Sequence, residues 1–167
     1  MKFELEKQEL EEAGFSGFVT IGRLMADISV VPARPGVYVV MRQDDGKPAF
    51  LSRGTGGFFK GEDPNVGLDE LQRNWLDDTS IMYFGKAGGL KSSATLQSRL
   101  SQYVRFGQGM AVGHRGGRYI WQLEDAKDLV VCWKLITDEE PRDVEKLMIQ
   151  EFKTKHGGRR PFANLVD

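Results

Sequence analysis

A set of residues in this chain that could act on a phosphate stands in a definite order. Tyr38 sits in Gly36-Val37-Tyr38, and Tyr83 opens the run Tyr83-Phe84-Gly85-Lys86-Ala87-Gly88-Gly89. Arg99 and Tyr103 follow four residues apart, so on a helix they share one face with Cβ atoms about 6 Å apart. Glu145 comes last, beside Val144 at the edge of an apolar stripe, where a carboxylate usually has a partner or a job.

Glycines next to a lysine point to phosphate, whether of a nucleotide or of a nucleic-acid backbone. The nucleotide patterns fail on spacing. A Walker loop needs four residues between its glycines and then Gly-Lys-Ser/Thr, whereas Lys86 precedes the Gly88-Gly89 pair. Gly85, Gly88 and Gly89 do not supply G-x-G-x-x-G either. What remains is a nucleic-acid contact or a flexible connection from strand to helix.

Charge distribution favours the former. The net charge is only −1, yet Tyr83 to Leu123 holds no Asp or Glu and six cations: Lys86, Lys91, Arg99, Arg105, Arg115 and Arg118. Residues 43 to 80 lean the other way, with eight carboxylates against four cations. Such segregation predicts one positive face. His114, Arg115 and Arg118 crowd among Gly113, Gly116 and Gly117, which reads either as direct DNA contact or as a surface turn.

The elements that must position these groups are legible in outline. Residues 3–12 predict a short charged helix, and 36–41 a strand entered from the two prolines of VPARPG. Leu68, Leu71, Trp75 and Leu76 have helical spacing. Ile81–Phe84 reads as a second strand, and 119–123 and 129–136 as two more. Ser92 or Ser93 caps a helix with the stripe Leu96, Leu100 and Val104. Pro141 opens a last helix carrying Val144, Leu147, Met148 and Phe152, which Gly157 and Gly158 stop. Phe162 and Leu165 of the tail could dock on the body.

Length, 40% hydrophobic and 28% charged residues describe one globular domain over 1–167. Cys132, the single cysteine, lies in an apolar run, which excludes a disulfide framework and predicts a buried thiol. No apolar run approaches the ~20 residues of a membrane span, and the acidic N-terminus is unlike a signal peptide, so the expected setting is cytoplasmic.

PGVYVV, YFGKAGGLKSSATLQSRLSQY, PRDVEKLMIQEF and PFANL, in that order, resemble the GIY-YIG nucleases. The resemblance runs from about Pro35 to Leu165. It implies an α+β fold: a small, mostly antiparallel central sheet flanked by helices. An N-terminal extension over about 1–34 and an acidic insertion over about 43–80 would be added to that fold. The second half-motif is YFG instead of YIG, and the two tyrosines stand 45 positions apart where the family has a short connection.

By that resemblance the catalytic set is Tyr38, Tyr83, Lys86, Arg99, Tyr103 and Glu145, with Glu145 the single acidic ligand of Mg²⁺ or Mn²⁺. Tyr38 would be the base, its phenol tuned by Lys86. Lys91, Arg105, His114, Arg115, Arg118 and Asn164 would contact nucleic acid. The implied activity is metal-dependent hydrolysis of DNA phosphodiester bonds, and one such site cuts one strand. A double-strand break would need a homodimer or sequential nicking, and with no separate DNA-reading module a partner protein could supply targeting.

Each residue also has a plainer reading. Tyrosines in strands are often core, lone cations are often solvated, and Glu145 could simply favour a helix N-terminus. Two other functions stay open: a nucleic-acid-binding domain of the same fold that does not cleave, and a protein-interaction module working through the acidic insertion.

Overall fold

Gly36–Met41 is apolar at nearly every position, and such a strand needs cover on both faces. The computed structural model, which describes residues 2–112 and 116–167, places it accordingly. The sheet has four antiparallel strands: β1 (Ser16–Thr20), β2 (Gly36–Met41), β3 (Ile81–Ala87) and β4 (Val130–Leu135), in the order β1-β4-β2-β3. The central strand β2 is buried throughout.

Strand alternation assigns the two faces. Val37, Val39, Met41, Phe84 and Cys132 pack with Phe3 and Phe15, and with Ile149 and Phe152 of helix α5 (Pro141–Lys155). Phe3 belongs to α1 (Lys2–Glu12). The opposite face carries Tyr38, Val40, Tyr83, Val131 and Trp133. It is covered by α2 (Ile21–Ala26) and α4 (Leu96–Gly107). The architecture is therefore an α+β domain with helices on both sides of an antiparallel sheet.

The long segment between the tyrosines is an excursion that leaves and re-enters at one point. β2 and β3 pair directly, Val40 opposite Tyr83, and Arg42 N–H donates to Ser80 O at 2.8 Å where the excursion closes. Glu6 of α1 accepts from Thr79 Oγ1, Ser80 N and Ser80 Oγ, fixing that closure. Within the excursion α3 (Leu68–Asn74) buries Leu71, and Phe50 and Trp75 meet Phe162 of the tail at 5.8 and 5.1 Å between ring centroids. The buried Gln122 amide accepts from Val66 N–H and donates to Leu51 O and Val66 O, so no part of it lacks a partner.

Two expectations are corrected, and one strand was missed. Residues 119–123 are no strand: Arg118–Gln122 is a 3₁₀ turn. Tyr119, Ile120, Trp121, Gln122 and Leu123 are all buried, so the alternation of a one-faced strand is absent, and their backbone is held by the excursion instead. The cap of α4 is Thr95, not Ser92 or Ser93, because Ser98 completes a reciprocal capping box with it. Strand β1 was not foreseen. Gly17 and Phe18 at positive φ break its register against β4, and Gly17 leaves room for the Trp133 ring. The Cys132 thiol is buried, as expected, and burial pushes it up to about 12.

Candidate active site

Register puts the phenols together. Tyr38 stands opposite Gly85 and Val40 opposite Tyr83, so all four lie on the α4 face of the sheet. Tyr103, one turn after Arg99 on α4, comes down on the same spot. The three rings form a triangle with centroids 6.1 Å (Tyr38–Tyr83), 6.4 Å (Tyr38–Tyr103) and 5.9 Å (Tyr83–Tyr103) apart, the last pair stacked. Gly85 and Gly117 make this possible: Gly85 lies under the Tyr38 ring, and a Cβ on Gly117 would press on Tyr103 at 3.0 Å.

Of the three phenols, only Tyr83 lines the adjacent cleft. That cleft, about 320 Å³, is walled by Tyr83, Gly116, Arg118, Glu145, Asn164 and the tail as far as Asp167. Two larger hollows lie elsewhere, one between α1 and α5 and one beside Trp121. Tyr38 and Tyr103 stand behind Tyr83, almost wholly buried. The Tyr38 and Tyr83 hydroxyls are hydrogen-bonded to each other. That bond raises Tyr38 and lowers Tyr83.

Burial dominates the titration of all three. It pushes Tyr38 well above the usual phenol range, with Tyr83 and Glu145 adding to the rise and Arg99 opposing it. Tyr103 rises similarly, first through burial and then through the other two phenols. Tyr83 reaches about 12, raised by burial and by Glu145 and lowered by Arg99 and by the Tyr38 hydrogen bond. Tyr38 acting as base would need a lowered phenol, and burial acts in the opposite direction.

Arg99 and Glu145 arrive from opposite sides of the sheet, on α4 and α5, and both act on Tyr38 and Tyr83. Arg99 Nη1 donates to Gln102 Oε1 at 2.7 Å. Burial raises the Glu145 carboxyl, and Lys86, Arg142 and Arg99 pull it back down. Lys86 therefore serves differently from the expectation. It sits opposite Val37 and so points to the α5 face, away from the phenols, where its charge acts on Glu145.

The expected nucleic-acid contacts divide. Arg118 lines the cleft, its guanidinium 5.9 Å from the Tyr119 ring centroid. Lys91 and Arg105 are exposed outside the cleft wall. His114 and Arg115 lie outside the described residues. Asn164 is engaged by backbone: its Oδ1 accepts from Phe84 N–H at 2.9 Å and its Nδ2 donates to Phe84 O at 3.0 Å. With Ala163 N–H donating to Met82 O, this lays the tail along the edge of β3. Asn164 is a clamp for the strand that carries Tyr83.

Arg142 was missed in the sequence, where a cation in the first turn of α5 looks like ordinary surface charge. So was Glu140, whose carboxylate accepts from Leu90 N–H in the glycine turn at 2.8 Å.

Among the described residues no three or more His, Cys, Asp and Glu side chains gather as a metal-binding group. Glu145 by itself, in a cleft open to water, fits a hard cation that keeps most of its waters and does not fit a closed all-protein cage. No helix among the described residues is long and apolar enough to cross a membrane. Compared with protein families, characterised proteins and solved structures, the chain matches none.

Proposed function

We propose that this chain is a GIY-YIG-type endonuclease that hydrolyses phosphodiester bonds in DNA, assisted by Mg²⁺ or Mn²⁺. One observation carries the reading. Side chains of four separate elements, Tyr38, Tyr83, Arg99 and Glu145, stand close enough to act on one another's charge, and Tyr83 and Glu145 of these line one cleft. A set assembled for packing alone has no need of a cation and a carboxylate held against buried phenols.

Hydrolysis of a phosphodiester needs an oriented water, stabilisation of charge on the non-bridging oxygens, and help for the leaving oxygen. Arg99, braced by Gln102, supplies a planar fork for the non-bridging oxygens, a task lysine performs less well. Glu145 would hold the metal as its one protein ligand, and the bound ion would neutralise charge on the leaving side.

The phenol that reaches the water is Tyr83, since it alone of the three lines the cleft. Tyr83 Oη orients the water and accepts its proton's hydrogen bond. Tyr38 stands behind, hydrogen-bonded to the same phenol, and Tyr103 holds the ring by stacking. Only the ionised Tyr83 can take the water's proton, and with the phenol raised to about 12 that form is scarce. The Tyr38 hydrogen bond and the Arg99 charge are the two influences that favour it. This assigns proton handling to Tyr83 and a supporting role to Tyr38, the reverse of the family expectation.

Arg118 at the cleft, with Lys91 and Arg105 beyond it, would follow the DNA backbone. The carboxylates of the excursion would keep the strand off its own side. Nicking of supercoiled plasmid in Mg²⁺, abolished by a chelator, supports the enzyme. Salt-sensitive binding to DNA with no cleavage of plasmid, duplex or branched substrates would make the chain a binding domain of this fold instead.

A further inference from the structure

The glycine-rich turn after β3 does hold an anion, and the anion is the chain's own. Gly88 and Gly89 turn the backbone at φ +88° and +135°, and the Leu90 N–H that follows donates to Glu140 Oε1. A Cβ on Gly89 would overlap Glu140 Oε2, so the second glycine is needed for the close approach as well as for its φ. Glu140 is also the residue from which α5 starts. Its carbonyl accepts from Asp143 N–H at 3.0 Å and from Val144 N–H at 3.2 Å. One residue thus fastens the turn that ends β3 to the helix that carries Arg142 and Glu145.

We propose that Glu140 is a positioning residue for the candidate site: its carboxylate on Leu90 N–H sets α5, and hence Glu145, against β3, and hence Tyr83 and Lys86. For its effect on rate the proposal rests on the nuclease reading. The physical basis is that Glu145 and Tyr83 stand on different elements, and a displacement of about 1 Å between reacting groups can cost as much as 100-fold in rate. Glu140 touches no substrate in this scheme and is not a catalytic residue.

Single-turnover DNA cleavage and amide hydrogen exchange on Glu140→Ala, Glu140→Gln and Glu140→Asp test it. The alanine variant should lose about tenfold or more in kcat with KM little changed, and its Leu90 amide should exchange faster. Glutamine keeps an acceptor of the right length and should restore both. Aspartate, one methylene short, should behave as alanine does, and it replaces the alanine variant if that one does not fold. Native kcat in the alanine or aspartate variant overturns the proposal, as does a glutamine variant as impaired as alanine. A wild type that cleaves nothing sinks the nuclease reading separately. The positioning claim is then decided by the backbone amide shifts of Lys86 and Glu145: moved by alanine and restored by glutamine they uphold it, and unmoved they overturn it.

Discussion

Gly85 lies under the ring of Tyr38, so that a Cβ at this position would stand 2.5 Å from Tyr38 Oη and nearer still to Cζ. The glycine at position 85 is therefore explained by the tyrosine at position 38. Gly85→Ala should push the phenol off Tyr83, costing about 1–3 kcal/mol of stability and at least tenfold in DNA cleavage. Denaturant melts beside cleavage rates check this, and a variant with native values in both would remove the proposed contact from the account.

Tyr83→Phe should impair cleavage more than Tyr38→Phe. Tyr83 lines the cleft while Tyr38 acts through it. The expected losses in kcat are on the order of 100-fold and tenfold, the range of a positioned proton-transfer group and of its supporting hydrogen bond. The opposite ranking would return the base to Tyr38.

All four tyrosines of the chain are pushed up: Tyr38 and Tyr103 far above the usual range, Tyr83 and Tyr119 to about 12. Groups of this kind contribute stability fully below the unfolded phenol value of about 10, and lose it as pH rises toward their folded values. Phenolate absorbance should stay absent through pH of about 10 and then appear together with unfolding. A tyrosine ionising near neutrality in the folded protein would contradict the burial-dominated site.

Glu145 is raised chiefly by burial, so its contribution to stability is full below the unfolded carboxyl value and declines as pH rises through the folded one. At neutral pH its ionised form is a cost that function would explain. Glu145→Gln should abolish cleavage and raise the melting midpoint at neutral pH by roughly 2–4 °C, with the gain vanishing in acid. An unchanged or lowered midpoint would mean that Lys86, Arg142 and Arg99 outweigh the burial.

Local patterns made much of this legible. The continuous apolar run at 36–41, the helical stripes of α4 and α5 and the proline at the start of α5 each matched their elements because propensity and burial agree there. Disagreement produced the misses. Tyr119 to Leu123 have strand-like composition, but they are wedged between the excursion and the core, and tertiary contacts override propensity. In β1 the bulge at Gly17-Phe18 hides the alternation.

The site was half legible for a related reason. Residue order and the resemblance it carries singled out Tyr38, Tyr83, Arg99, Tyr103 and Glu145, and the fold brings these side chains near one another. Which phenol faces the cleft depends on depth, which no sequence period encodes. Lys86 was given the wrong neighbour because adjacent strand residues point to opposite faces, and that parity is fixed only once the pairing of Tyr38 with Gly85 is known. Glu140 and Asn164 act through backbone amides, which leave no trace in side-chain spacing.

Single-turnover cleavage of an end-labelled duplex, with binding measured on the same samples, tests the central claim most directly. Wild type, Arg99→Ala and Glu145→Ala should be compared side by side in Mg²⁺. The account predicts that both variants bind DNA within about fivefold of wild type and cleave at least 100-fold more slowly, the range expected when a charge-stabilising group is removed. Cleavage unchanged in both variants would contradict it, and so would a wild type that binds DNA and never cuts.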